Sequence, residues 1–242
     1  TVQGYIQGLH AHWLTEETRR RTGSAATGNF SVENRFRYNP EVQSLPAMVP
    51  TVIPLLLLML PAMLAALAVV REKEIGSIIN LYVTPVTRSE FLLGKQIPYV
   101  VLAVANFLLM VLMAVFVFGV PVKGSFVALL VAATIYCLAA TGLGLLISAV
   151  TRSQIAALFL AMIATMLPAT AFGGMTDPVA SLEGAGRVIG EIYPASHMFT
   201  ISRGVFNKAL GFRELAGSFL PLALAVPVII GVSILLVRKQ ER

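Results

Sequence analysis

Five long stretches of the chain lack Asp, Glu, Lys, Arg and His: 42–70, 96–122, 124–151, 153–176 and 215–237. Each is longer than the roughly 20 helical residues needed to cross a hydrocarbon layer of about 30 Å. None shows the polar/apolar alternation of a barrel strand, and a backbone in lipid must satisfy its own hydrogen bonds, so the pattern predicts helices. The predicted spans are about 45–70, 96–120, 125–150, 154–175 and 215–237. The fold class that follows is all-α, a polytopic transmembrane bundle occupying residues 42–242.

Punctuation inside the spans refines the picture. Pro46, Pro50, Pro54 and Pro61 in the first, and Pro168 with Gly173 and Gly174 in the fourth, predict kinked or late-starting helices, because proline removes a donor and frees a carbonyl that a neighbour must satisfy. Ala140, Gly144 and Ser148 follow the small-xxx-small spacing that lets helix backbones approach closely. Asn106 is the main amide inside a span, with a helix-to-helix hydrogen bond as its expected role.

The polar segments differ from one another. In residues 1–41, Val2, Ile6, Leu9 and Trp13 recur at helical spacing, and Val32, Phe36 and Tyr38 share one face of a strand, which predicts a small α/β remnant ending an extracytoplasmic domain. The stretch 177–214 is too apolar for a linker. Val188, Ile189 and Ile192, then Phe199, Ile201, Val205 and Phe206, predict short amphipathic helices at the outer interface.

Composition agrees with a membrane protein: 57% of residues are hydrophobic and 12% charged, against about 25% charged in a soluble domain. The net charge of +6 is spread through the connections, with no basic stripe of the kind nucleic acid needs, so no direct nucleic-acid contact is expected. Arg71, Lys73, Arg88, Lys95, Arg152, Arg238, Lys239 and Arg242 flank spans on one side, and the positive-inside rule makes that side cytoplasmic. These are 8 of the 18 Lys and Arg residues, but five of the other ten sit in the long N-terminal segment, where the rule carries less weight. The N-terminal segment is then outside and the C-terminus inside a bacterial cytoplasmic (inner) membrane. The first residue, Thr1, is not methionine, and a polar segment outside the cell needs something to carry it there, so a sixth span upstream is expected.

One connection carries candidate chemistry. In residues 71–85, Ile75, Ile78, Ile79 and Tyr82 share a helical face and the charges Arg71, Glu72, Lys73 and Glu74 precede Gly76. Pro85 ends this predicted amphipathic helix of about 72–84, and Thr87 with Glu90 forms a capping box for the next helix. Such a helix either rests on the bilayer or docks a cytoplasmic motor. No span holds an ionisable residue, so the proton or sodium coupling of a secondary transporter lacks its usual ligands. Gly94-Lys95 lacks the remaining residues of a phosphate-binding loop. His10 and His12 have no third metal ligand in view, and Asp177 and His197 belong to no nucleophile motif, so neither a metal nor a catalytic residue is assigned. Cys137 lies within an apolar span as a small buried hydrophobe.

Residues 71–76, Arg-Glu-Lys-Glu-Ile-Gly, with Leu81, Pro85, Val86, Phe91, Leu92, Gly94 and Lys95, resemble the pattern of type-2 ABC transporter permeases. Arg37-Tyr38-Asn39-Pro40, Phe172-Gly173-Gly174-Met175, Tyr193-Pro194 and Arg203-Gly204 resemble the same family, and the wording of residues 76–91 is similar to the C-terminal membrane region of the bacterial ribosome-associated ATPase. The resemblance implies that Glu72, Lys73, Glu74, Ile75, Gly76, Ile78, Ile79 and Tyr82 couple the permease to an ABC ATP-binding domain that holds ATP and Mg, while the chain itself holds no cofactor. It implies a second permease unit as partner and an exported substrate that apolar helices do not identify. Two alternatives stand beside the exporter: a ribosome-associated ATPase meeting the ribosome through fused ATPase domains, and a passive channel or anchor without a motor.

Overall fold

All five apolar stretches form helices in the structure, a computed structural model that describes residues 9, 12, 13, 16, 17, 20, 44–76, 88–175 and 178–236. The chain divides into two units, Thr1–Val42 and Gln43–Arg242. In the first, Leu9, His12, Trp13, Glu16, Glu17 and Arg20 are helical, with Leu9 and Trp13 exposed. The strand expected over 32–38 lies outside the described residues, and no strand occurs among those described, so the α/β character assigned to this segment has no support.

The second unit is a helical bundle of α1 (Ser44–Ile75), α2 (Arg88–Phe116), α3 (Phe126–Val150), α4 (Gln154–Ala171), α5 (Gly184–Ile192), α6 (Pro194–Lys208) and α7 (Phe212–Leu236). Helices α1, α2, α3, α4 and α7 are long and apolar enough to cross a membrane. Each overlaps one of the five predicted spans, with α1 running five residues further at its C-terminal end, α2 beginning eight residues earlier and ending four earlier, and α4 ending four residues earlier. At about 1.5 Å per residue α1 is about 48 Å long, well beyond the hydrocarbon thickness, which leaves its charged last turn outside.

α3 forms the hub, packing on α1, α2, α6 and α7. Its inner surface is built from small residues, Ala128, Ala132, Ala133, Ala139, Ala140, Gly142, Gly144 and Ser148, all buried. In lipid, apolar burial gives helices no reason to associate, and close backbone packing supplies the attraction instead. The expected approach is at Gly144, where an added Cβ would sit 2.2 Å from the Ala62 carbonyl oxygen of α1. Pro50, Pro54 and Pro61 lie on the buried face of α1, inside a helix that continues through all three. In α4, Pro168 frees the carbonyl of Ala164, four residues earlier, and the Tyr193 hydroxyl donates to that oxygen at 3.1 Å and to Thr165 O at 3.2 Å.

Two expectations change. The amide that bridges helices is Gln96, not Asn106: Gln96 is 1% exposed and its Nε2 donates from α2 to Leu138 O (2.9 Å) and Thr141 Oγ1 (3.0 Å) of α3. Asn106 is half-buried. Of the two short helices before α7, only α5 keeps the exposed apolar face of an interfacial helix, with Val188, Ile189 and Ile192 open. α6 is drawn inside, burying Met198, Phe199, Ile201, Val205 and Phe206 against α1, α3 and α7. Ala195, Ser196, Ser202 and Gly204 between those large residues are also buried, so α6 is enclosed on several sides and behaves as a core helix.

Candidate functional site

The charged residues of the predicted amphipathic helix belong to the last turn of α1. Nothing in Arg71-Glu72-Lys73-Glu74-Ile75 breaks a helix, so α1 continues to Ile75 and stops at Gly76, which adopts φ 77° with its N–H bonded to Lys73 O at 3.2 Å. A left-handed residue after a helix is the conformation glycine accepts most readily. The first residues of the segment expected as a separate helix are therefore fixed to the bundle. Ile78, Ile79 and Tyr82 lie outside the described residues, as does Thr87, while α2 begins at Arg88 with Glu90 in its first turn.

Three consecutive side chains of this turn reach three different partners. Glu72 pairs with Lys95 of α2, and the Lys95 ammonium also sits 5.9 Å from the Phe91 ring centroid. Lys73 donates to Ser148 O and, at 3.4 Å, to Thr151 O at the end of α3. Glu74 accepts from the Gln154 backbone N–H at 2.7 Å and from the Gln154 side-chain amide at the start of α4. The last carbonyls of a helix carry partial negative charge and the first amides partial positive charge. Adjacent Lys73 and Glu74 thus each meet the helix end of opposite sign across the short α3–α4 corner. Ser153, at the N-cap position of α4, makes no side-chain cap bond, and Glu74 takes that role from another helix.

Beneath the turn, Val69, Leu92 and Leu145 are buried together with Phe91 and Ile234 alongside, while Ala66, Val70, Ile147, Ala157 and Ala161 join α1, α3 and α4. This apolar layer fixes where the charged side chains emerge. Ile75 is 68% exposed and Glu74 is exposed, so the turn offers an apolar side chain beyond its own polar contacts.

A second polar knot closes the opposite end. Arg203 of α6 donates from Nε to Thr51 Oγ1 of α1 (3.1 Å), from Nη1 to Gly174 O (2.9 Å) and from Nη2 to Met175 O (2.6 Å), with its guanidinium over the Phe199 ring at 5.9 Å. Burial lowers its pKa from the usual arginine value, and among the described residues its partners are neutral oxygens, one on α1 and two just beyond the C-terminal end of α4. Gly174 and Arg203, far apart in sequence, meet here, and α5 packs closely on the end of α4, where a Cβ on Gly190 would lie 2.5 Å from Phe172 O. Among the described residues no group of three His, Cys, Asp or Glu is placed to hold a metal ion.

A family model described as ABC-2 family transporter protein matches residues 2–235. The probable multidrug ABC transporter permease YbhS of Escherichia coli (strain K12) is 32% identical over 228 residues, covering 94% of this chain and 58% of that protein. The inner membrane transport permease YhhJ of the same organism is 29% identical over 227 residues, covering 92% and 59%. The probable multidrug ABC transporter permease YbhR is 26% identical over 200 residues, covering 83% and 54%. The chain spans somewhat under three fifths of the length of these curated relatives. No solved structure matches it.

Proposed function

The chain belongs to the ABC-2 family of transporter proteins, and from that premise we propose that it is the membrane-spanning part of an ATP-driven exporter. The observation that carries the proposal is the union of this family match with a spanning bundle whose Arg71–Gly76 turn is pinned to α2, α3 and α4 at one end. In this view an ABC ATP-binding domain holds ATP and Mg and does the hydrolysis, and a second permease unit completes the path. The charged residues Glu72, Lys73 and Glu74 anchor the turn, while Ile75 with the sequence-defined apolar positions Ile78, Ile79 and Tyr82 forms the docking face. The relatives named above are permeases, which supports neither the ribosome-linked alternative nor a passive channel. Two of their names carry multidrug transport, so amphipathic drug-like compounds are the first substrates to try.

Docking is tested by Ile79→Glu against Ser77→Glu in the complete protein with its ATPase. An unpaired carboxylate buried at an interface costs several kcal/mol unless it finds a partner. We expect Ile79→Glu to lose ATPase association by at least tenfold and Ser77→Glu to retain it, both inserting normally. Equal association for wild type and Ile79→Glu refutes docking at this face.

The same proposal places the Arg71 and Arg152 end of the bundle in the cytoplasm and the α5 end outside. A cysteine at Ala185, exposed in the first turn of α5, is expected to react with an impermeant thiol reagent in intact cells, and one at Ser153 only after permeabilisation. The native Cys137 is fully buried in α3 and adds little background. The reverse labelling pattern inverts the orientation.

A further inference from the structure

The corner between α3 and α4, residues 151–153, carries a cation without a counter-charge. Arg152 is exposed, and among the described residues it pairs with no carboxylate. Lys73 of α1 stands close enough to repel it and spends two of its three N–H groups on Ser148 O and Thr151 O. Glu72 is committed to Lys95, and Glu74 to the backbone and side-chain amides of Gln154. At the corner Lys73 and Arg152 therefore outweigh Glu74 by one positive charge. Val150 and Ile155, on either side of the corner, are 61% and 69% exposed. Apolar side chains that open so near a guanidinium place it where hydrocarbon gives way to headgroups, the depth at which lipid phosphates lie. Beyond it, Ile155, Phe159, Ile163 and Met166 share one face of α4 and are all exposed. At about 1.5 Å per residue this stripe is about 16 Å long, close to half of a hydrocarbon layer of about 30 Å.

We propose that the α3–α4 corner binds one anionic phospholipid, its phosphate beside Arg152 and the remaining N–H of Lys73 and an acyl chain along the exposed stripe of α4. A lipid whose headgroup charge is the phosphate alone cancels the excess positive charge. A zwitterionic lipid brings an ammonium that restores it. The guanidinium fork matches a phosphate oxygen pair, and charge-assisted hydrogen bonds of this kind are the strong ones. Both cations are held before the lipid arrives: Lys73 by the end of α3, and the corner bearing Arg152 by Lys73 on one side and Glu74 on the other. Little ordering is then needed on binding. The stripe matches the length of a chain in a single leaflet, so head and tail contacts are satisfied by the same molecule. Charge and depth set this site, whatever substrate the bundle moves.

The test takes the complete protein with its ATPase from membranes holding equal phosphatidylglycerol and phosphatidylethanolamine and counts the retained lipids by native mass spectrometry. Arg152→Gln is the informative variant, since the side chain is exposed and supports no contact of the fold. Arg71→Gln is the control, an exposed arginine two residues before Lys73 and so on another side of α1. We expect wild type and Arg71→Gln to retain phosphatidylglycerol preferentially, and Arg152→Gln to retain about fivefold less, the factor that one basic residue near an anionic surface contributes. Equal retention in Arg152→Gln and wild type overturns the site, and an equal loss in Arg71→Gln reduces it to unspecific charge attraction. Displacement of the lipid by inorganic phosphate on equal molar terms overturns the acyl-chain contact and leaves a free-anion site. Loss of ATPase association in Arg152→Gln with lipid retention unchanged assigns the guanidinium to the ATPase instead. A nitroxide at Ile163, in the complex in nanodiscs, is expected to be open to oxygen dissolved in the bilayer. A label shielded from oxygen shows that a second permease copy covers the stripe, which also overturns the lipid site.

Discussion

Gly144→Ala is expected to prevent assembly of the bundle, although it adds only one methyl group. The new Cβ would lie 2.2 Å from Ala62 O, 3.0 Å from Ala62 C and 2.9 Å from Ala65 Cβ. Two of these three are backbone atoms of α1, which no rotamer change can move. Relief requires α1 and α3 to separate, and the same crossing positions Leu57, Leu58, Ala62, Ala65, Tyr136 and Ala140, all at most 1% exposed. Overpacking a core costs about 1–3 kcal/mol where side chains can yield, and the upper end or beyond applies where they cannot. Gly231→Ala in α7 is the control, because a Cβ there meets nothing within 4 Å and alanine favours a helix by about 1 kcal/mol. The measurement is the yield of monodisperse protein in detergent and its resistance to denaturation in mixed micelles. Equal behaviour of the two variants contradicts the α1–α3 contact.

A close approach at this face of α3, though not its partner α1, was legible in the sequence: Ala140, Gly144 and Ser148 fall four apart in an uncharged helix, and small residues at that interval present a flat strip. The five spans were legible for a similar reason, since absence of charge over a long stretch is a one-dimensional property. Gln96 was not legible. It sits where the second span begins and reads as a polar flank, and only the packing of α2 on α3 turns its amide into a buried bridge. The burial of α6 escaped for a related reason. Its apolar residues follow an amphipathic pattern suited to an interface, and the small residues that enclose its other sides carry no hydrophobic signal.

The charged turn shows both limits. Its composition marked it as a candidate for coupling, but Lys73, Glu74 and the α3–α4 corner lie about 80 residues apart in the chain. Complementarity between side-chain charge and a helix terminus appears only once the helices are placed. Tyr193 and the Ala164 carbonyl form a comparable pair: proline at 168 announces that a carbonyl is freed, and nothing in the sequence says which hydroxyl will take it. The two cases share a rule: a backbone group left open at a proline or a helix end is supplied from another element.

Arg203→Met is expected to unseat α6 and loosen the C-terminal end of α4, and Arg203→Lys is expected to fail as a replacement. The guanidinium spends one N–H on α1 and two on the carbonyls of Gly174 and Met175, which follow α4, so it ties three parts of the bundle with one planar group. Methionine keeps the length of the stem and removes every donor, leaving two carbonyls and a hydroxyl to find other partners. Hydrogen bonds to a charged group contribute about 1.5–3 kcal/mol each, and the partial exposure of this site favours the lower end, so a loss of about 4–5 kcal/mol is expected for the set of three. Lysine restores the charge, but its compact ammonium cannot match acceptors arranged around a fork. Unfolding in mixed micelles measures the loss, and protease sensitivity of residues 172–193 reports whether it is local. Arg203→Lys unfolding within about 1 kcal/mol of wild type, with the 172–193 stretch still protected, would show that charge near the end of α4 is sufficient and that the fork geometry is incidental.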